Sequence, residues 1–322
     1  MKIAITGGTG FVGRHLARTL AQKDHEIILI ARGLDDRDKD IRNLSRARFF
    51  SAGLDDEDKL TQIFKDCNAV AHCAGINREI DQQTYQRVHI AGTGNVVNAA
   101  KRAGVKKILL MSFLRARPNC HSPYHESKWT AEEIIRSSGI NYTVIKAGMI
   151  YGKGDHMLDH LSHAICTLPL FASVGLFEKS IRPIAIEDVV KIMGASITEN
   201  RLSNQSVAVT GPEEMPFSDA VKRVAKVLKK RILIFPLPVW FHYFIARLSE
   251  SSMKVPLISR AQVKMLSEGI AEAFPVCDEL PEDLKPKIFF TEQQILKGLP
   301  QRGPFKRKDF LGCGNSRDTK LN

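Results

Sequence analysis

Tyr124-His125-Glu126-Ser127-Lys128 sets a phenol and an ammonium four residues apart, which on a helix is one face and one turn. An ammonium beside a phenol favours the phenolate, drawing its pKa down from about 10. Such a pair can exchange a proton with a substrate oxygen. Ser112 ends an apolar run one loop earlier, and its hydroxyl could orient the same oxygen. The expected proton relay is therefore Tyr124, Lys128 and Ser112. A Y-x-x-x-K spacing carries little by itself in a lysine-rich chain. Its weight comes from its place, after a glycine-rich turn and five strand candidates.

That turn is Gly7-Gly8-Thr9-Gly10-Phe11-Val12-Gly13, which follows the strand pattern Lys2–Thr6 and opens a helical pattern. It satisfies G-x-G-x-x-G through Gly8, Gly10 and Gly13, in the strand-before, helix-after context that the motif requires. Glycines allow a tight turn, and their missing Cβ atoms let the backbone approach a diphosphate. The N–H groups that open the helix, at Phe11, Val12 and Gly13, face the anion with the helix dipole behind them. A nicotinamide dinucleotide is the expected ligand. At the end of the second strand, where an acid would accept a bond from the ribose 2′-hydroxyl, the chain has Ala31-Arg32. A guanidinium pairs with a 2′-phosphate, so NADP(H) is preferred. Asp35 and Asp36 nearby keep NAD(H) as the alternative.

The elements that must position these groups read as an α/β fold. Strand candidates are Lys2–Thr6, Glu26–Ala31, Arg48–Ser51, Ala69–Cys73, Lys107–Ser112 and Tyr142–Ala147. Helical windows lie near Val12–Gln22, Glu57–Phe64, Tyr85–Arg102 and Tyr124–Ser137. Short apolar runs alternating with helices predict a doubly wound parallel sheet of the Rossmann type. In such sheets ligands gather beyond the carboxyl ends of the strands, where Ser112 and the start of the Tyr124 helix fall. After Tyr151-Gly152 the windows lengthen (Met157–Thr167, Asp188–Thr198, Ser218–Lys229, Ser259–Ala271) among proline-rich loops. The expected division is a dinucleotide-binding domain over 1–155, a smaller, mostly helical substrate or partner lobe over 156–298 interleaved with the sheet, and a flexible basic tail over 299–322.

The 322 residues are 43% hydrophobic and 25% charged, enough to bury a core without disulfides. No C-x-x-C pair occurs among the six cysteines, which excludes a zinc ribbon and fits a reducing compartment. The net charge of +12 is interspersed with acids through most of the chain, with a basic cluster at Arg302 and Lys306-Arg307-Lys308. Nucleic acid is not expected as a partner. Met1-Lys2 runs straight into a strand, so no signal peptide is expected, and the expected location is cytoplasmic, peripheral to a membrane at most.

These residues together resemble the extended and atypical branches of the short-chain dehydrogenase/reductase superfamily, which include NAD-dependent epimerase/dehydratase-like and complex I accessory-subunit-like proteins and NmrA-like redox sensors. The resemblance rests on Thr6 to Gly13, Ala74-Gly75 after the fourth strand, Ser112 with Tyr124 and Lys128, Tyr151-Gly152, Arg182-Pro183-Ile184 and Asp188-Val189. It implies a cofactor set of Gly7, Gly10, Phe11, Val12, Gly13, Arg32, Leu54, Cys73, Ala74, Gly75 and Lys128, with Lys128 also holding the nicotinamide ribose. Gly53-Leu54 replaces the Asp-Leu of many relatives beside the adenine, His89 replaces a structural asparagine, and Lys146-Ala147 replaces Arg-Pro. The implied activity is that of an oxidoreductase, epimerase or dehydratase on an unassigned small molecule. The alternative is a non-turnover redox sensor or assembly partner.

Two other groupings stand out. His156, His160 and His163 fall on one face of a helical window, where three ligands on a straight helix cannot surround one ion. No metal is expected there. His156 and His160 are expected to touch substrate, and Arg182 either meets an anionic group of the substrate or pairs with a nearby acid. Lys229-Lys230-Arg231 precedes an apolar stretch through Trp240, Phe241, Tyr243 and Phe244, too short and proline-interrupted to span a bilayer. A buried lobe helix with a solvated charged start is expected there, and an anionic membrane surface is the other reading.

Overall fold

The computed structural model describes residues 1–33, 39–252, 258–300 and 303–304. Asp35 and Asp36, the basic cluster at 302 and 306–308, and nearly all of the expected tail lie outside the described residues. In chain order the first half holds β1 (Lys2–Thr6), α1 (Phe11–Ala21), β2 (Glu26–Ala31), β3 (Ala47–Ser51), α2 (Glu57–Phe64), β4 (Ala69–His72), a π-helical turn (Gln86–Ala91) running into α3 (Gly92–Arg102), β5 (Lys107–Phe113), α4 (Pro123–Arg136), β6 (Asn141–Ala147) and β7 (Ile150–Tyr151). The second half holds α5 (His156–Thr167), β8 (Leu170–Val174), β9 (Ser180–Ile181), β10 (Ile184–Ala185), α6 (Ile186–Thr198), β11 (Gln205–Val209), β12 (Met215–Pro216), α7 (Phe217–Val227), β13 (Leu233–Leu237), α8 (Val239–Ser252), α9 (Arg260–Glu268) and α10 (Glu292–Gly298).

By contacts the chain divides into two units. The first comprises Met1–Ile150, Pro183–Pro212 and Glu272–Ile288; the second comprises Tyr151–Arg182, Glu213–Ala271 and the residues from Phe289 on. The interleaving is more extensive than a boundary near 155 indicates. The chain returns to the first unit twice, because the sheet takes a seventh strand from far along the sequence.

The first unit is a seven-stranded sheet in the order β11-β6-β5-β4-β1-β2-β3, with every neighbouring pair parallel. It is the doubly wound Rossmann arrangement read from the sequence. Alternate strand residues feed two cores. Ile3, Ile5, Leu109 and Ile145 pack on one face with Leu16 and Leu20 of α1 and Val189 and Met193 of α6. Ala4, Ile28, Ile108 and Val144 pack on the other with Leu60 of α2, Val96 of α3 and Ile135 of α4. With both faces covered, the strands are apolar at nearly every position. Asp188 of α6 fixes the last returning segment, its carboxylate accepting from the N–H groups of Lys287 and Ile288 at 3.0 and 2.9 Å.

In the second unit β9 pairs antiparallel with β12 and β8 pairs parallel with β13. Asp155 caps α5, and Ser259 with Gln262 forms a capping box on α9. α8 is buried on one face only: His242, Ala246 and Ser249 face inward, whereas Trp240, Phe244 and Arg247 face solvent. The expectation of a buried lobe helix therefore fails for half its circumference. Among the described residues no helix is long and apolar enough to cross a membrane.

Candidate functional site

At the carboxyl end of β1 the turn closes tightly. Gly7 adopts φ +67°, a left-handed conformation that costs glycine nothing, and its carbonyl accepts from Gly10 N–H at 2.9 Å. A Cβ on Gly7 would lie 2.7 Å from Ala74 N, and one on Gly13 would run into the Gly7 carbonyl oxygen. No side chain caps α1 at Gly10, and its first turn carries no acid. The helix start at Phe11 and Val12 is therefore a backbone cradle of the kind a diphosphate fills. The chain after β4 passes close by, with Cys73 N–H bonded to Thr6 O at 3.0 Å and Ala74 against Gly7. Leu54 packs over Gly92, and its carbonyl accepts from Asn95 Nδ2 at 2.7 Å. These residues fit a dinucleotide.

Arg32 lies exposed at the end of β2, its carbonyl accepting from Ser51 Oγ at 3.2 Å. Sequence reasoning missed its neighbour Arg42, whose Nη2 donates to Gly33 O at 3.0 Å and whose guanidinium lies 4.8 Å from the centre of the Phe49 ring. Two cations thus stand at the tip of this strand. An arginine followed seven residues later by an aromatic was the available signal.

Tyr124 and Lys128 occupy the first turns of α4, which Pro123 opens with its fixed φ. Lys128 Nζ donates to Met111 O at 3.3 Å and would lie 3.1 Å from a Cβ on Gly75, so the bare glycine leaves the ammonium its place. Burial lowers the Lys128 pKa to about 8, against the opposing pull of Glu132 and Cys73. Tyr124 is buried against Phe113, His125, Tyr85 and His89. Burial, aided by Tyr85, pushes its pKa up. This corrects the expectation of a depressed phenol. Desolvation dominates, and Tyr124 is held as the neutral acid.

Ser112 is placed otherwise than its assigned role requires. Its Oγ donates to Glu132 Oε1 at 2.5 Å beneath α4. Glu132 is fully buried and pairs with the equally buried Lys146, whose Nζ is 3.0 Å from both carboxylate oxygens and 2.9 Å from Ala116 O. Trp129 lies under Lys146 and Arg136, which also binds Glu132. Ser112 and Lys146 are register partners on β5 and β6, so the serine is a satisfied member of a structural charge network. The signal for that network was Lys146 itself, a cation inside an apolar strand.

Two histidines complete the surroundings. His89 lies in the π-helical turn, where Nε2 accepts from Ile76 N–H at 3.1 Å and Nδ1 bonds Ser127 Oγ at 2.9 Å. Ser127 Oγ in turn donates to Tyr124 O at 3.0 Å. His72, at the end of β4, bonds Thr6 Oγ1 at 2.6 Å through Nδ1 and Thr93 Oγ1 at 3.0 Å through Nε2. Burial and then the Lys128 charge lower both pKa values, that of His72 to about 3, so both rings are neutral. This buried chain ties the end of β1 to the backbone of α4. Neither hydrogen-bond set was legible from the sequence, because the partners are up to 66 residues apart.

The expected substrate residues belong to the second unit. His156 opens α5 exposed, and His160 follows one turn later, partly buried. Arg182 Nε lies 3.4 Å from Glu214 Oε2. His163 Nδ1 bonds Gly303 O at 2.6 Å, and its Nε2 lies 3.6 Å from Asp159 Oδ1. Among the described residues no group of three His, Cys, Asp or Glu side chains is arranged to hold a metal.

Residues 7–161 match the NAD(P)H-binding family model. The chain is 24% identical over 286 residues to the mitochondrial NADH dehydrogenase (ubiquinone) 1 alpha subcomplex subunit 9 of Mus musculus, covering 87% of this chain and 73% of that one. It is 25% identical over 277 residues to a UDP-glucose 4-epimerase of Vibrio cholerae, covering 76% of this chain and 81% of that one. An uncharacterized protein of Mycobacterium tuberculosis is 23% identical over 239 residues, 74% of this chain, and the chain spans only 24% of its length. In fold the chain is similar to a nucleoside-diphosphate-sugar epimerase from Staphylococcus aureus, with a TM-score of 0.72 at 16% identity, covering 92% of this chain and 100% of that one.

Proposed function

We propose that this chain, which resembles the NAD(P)-binding, epimerase-like extended short-chain dehydrogenase/reductases in sequence and fold, is an NADP(H)-dependent oxidoreductase, epimerase or dehydratase with Tyr124 as its acid–base residue. The observation that carries the reading is the convergence, in one unit, of the glycine cradle at the end of β1 and the Tyr124–Lys128 pair at the head of α4, with Lys128 seated beside Gly75. A bound nicotinamide dinucleotide would supply two-electron hydride chemistry. The backbone N–H groups of Phe11 and Val12 would grip its diphosphate, and Arg32, with Arg42 beside it, would meet the 2′-phosphate. Lys128 would hold the ribose hydroxyls. Tyr124, kept protonated, gives its proton to the substrate oxygen as that oxygen gains charge, and Lys128 steadies the phenolate left behind. Ser112 takes no part in this account, because its hydroxyl is committed to Glu132.

A second reading, a non-turnover NADP(H)-binding partner in an assembly, draws on the occupied Ser112 hydroxyl and on the likeness to a respiratory-complex subunit along most of the chain. The deciding experiment is native mass spectrometry for a co-purified dinucleotide, calorimetric titration with NADPH and NADH, and a carbonyl-substrate screen with NADPH. We expect NADPH to bind more tightly by about tenfold or more, and Arg32→Glu to remove that preference. Tyr124→Phe should lower turnover by about a hundredfold or more while leaving dinucleotide affinity unchanged. Equal affinities would overturn the role of Arg32, and an active Tyr124→Phe would overturn that of Tyr124.

A further inference from the structure

α8 presents Trp240, Phe244 and Leu248 on one face, at 70%, 62% and 59% exposure, spaced i, i+4 and i+8 so that they form a single stripe. Trp240 and Phe241 pack edge to face, and Phe241 bridges to Phe244, which makes the stripe a continuous aromatic ridge. Arg247 lies exposed on the same face. The opposite face is fully used within the unit: Ala246 packs with Val174 and Val263, and His242 Nε2 bonds Ala172 O at 3.4 Å. The ridge is therefore not a core face left over by the fold.

Charge identifies what covers it. Lys229, Lys230 and Arg231 are all exposed immediately before β13, whose Leu233 and Phe235 are exposed as well. The acids of this unit that flank these residues in sequence already have cations of their own: Glu213 binds Arg223, Glu214 lies by Arg182, Asp219 binds Lys222, and Glu250 binds Arg260. Exposed basic side chains one short strand before an amphipathic helix in the sequence, with tryptophan and phenylalanine outward on that helix, match an anionic lipid interface, where aromatic rings enter the headgroup region and cations meet lipid phosphate. A purely protein-facing hot spot would not need the cluster of cations.

We infer that the outward face of α8, with Lys229-Lys230-Arg231, seats this protein on an anionic membrane surface as a peripheral protein. The test uses the full chain in a flotation assay with phosphatidylcholine vesicles, with and without one third phosphatidylglycerol. Binding should require phosphatidylglycerol and weaken by about tenfold or more between about 50 and 500 mM salt. Each basic side chain near such a surface contributes about fivefold, so Lys229→Gln, Lys230→Gln and Arg231→Gln together should weaken binding by about a hundredfold. Trp240→Ser with Phe244→Ser should abolish it while leaving the far-ultraviolet circular dichroism unchanged, since both side chains face solvent. In a Trp129→Phe background, Trp240 emission should shift to the blue on vesicles and be quenched by brominated lipid. Equal flotation of the wild type and the Trp240/Phe244 double variant, or no flotation of the wild type, overturns the inference. So does light scattering that finds a dimer which the double variant dissolves, because the ridge would then be covered by a second copy of the chain.

Discussion

Lys128 shows how one side chain couples stability to chemistry. Its ammonium is retained in a partly buried place with a pKa of about 8, against an ordinary 10.5. Below pH 8 the cation is present in both folded and unfolded chains, and folding bears the full cost of desolvating it. Between pH 8 and 10.5 the folded chain releases the proton first, and the cost is relieved as pH rises. Lys128→Met should accordingly raise stability at pH 7 by on the order of 3 kcal/mol, read as a higher melting temperature, with the gain shrinking toward pH 10. The same variant should lose dinucleotide affinity and turnover, and wild-type affinity should fall as pH passes 8. Ser112 predicts the opposite pattern. Ser112→Ala removes a hydrogen bond to a buried carboxylate and should cost about 1.5–3 kcal/mol in urea unfolding. If its hydroxyl is only structural, turnover should stay within about threefold of wild type.

At the scale of elements, α4 is held to the sheet by charge as well as by apolar packing. Lys146→Met leaves the buried Glu132 carboxylate without its closest cation and should destabilise by about 3–5 kcal/mol. Adding Glu132→Gln should recover a large part of that loss in the double variant, measured as a coupling in a denaturation cycle. The individual elements were well marked in the sequence. β1, β2 and α2 run over the residues that periodicity indicated, and the other strands of the first six differ by a residue at one end. The sixth helix-to-strand step was not marked as part of the sheet. β11 is five residues long and carries Gln205 and Ser206 at its start, so its apolar signal is weak. The relay residues were legible as a spacing, whereas their protonation was not. Spacing shows that Lys128 follows Tyr124 by one turn, but only packing shows that Tyr85, Phe113 and His89 strip the phenol of water.

For the whole molecule, the organising fact is that the first unit is built from three separated stretches, 1–150, 183–212 and 272–288. A fragment ending at residue 155 lacks β11, α6 and the Glu272–Ile288 segment that Asp188 holds, and it exposes the core face around Val189 and Met193. Expressed alone it should fail to fold cooperatively and should not bind a dinucleotide, as checked by thermal circular dichroism and titration. A boundary guessed from where the helical windows lengthen falls in the middle of this arrangement, because strand order in space is not recorded in the order of windows along the chain. The same interleaving sets a clock on biosynthesis. The ribosome releases the glycine turn early, but the last stretch of its unit begins only at Glu272, roughly 13–50 seconds later at elongation rates of about 5–20 residues per second. Until β11 at Gln205–Val209 emerges the nascent sheet waits with its β6 edge open, a natural target for holding chaperones in the cell.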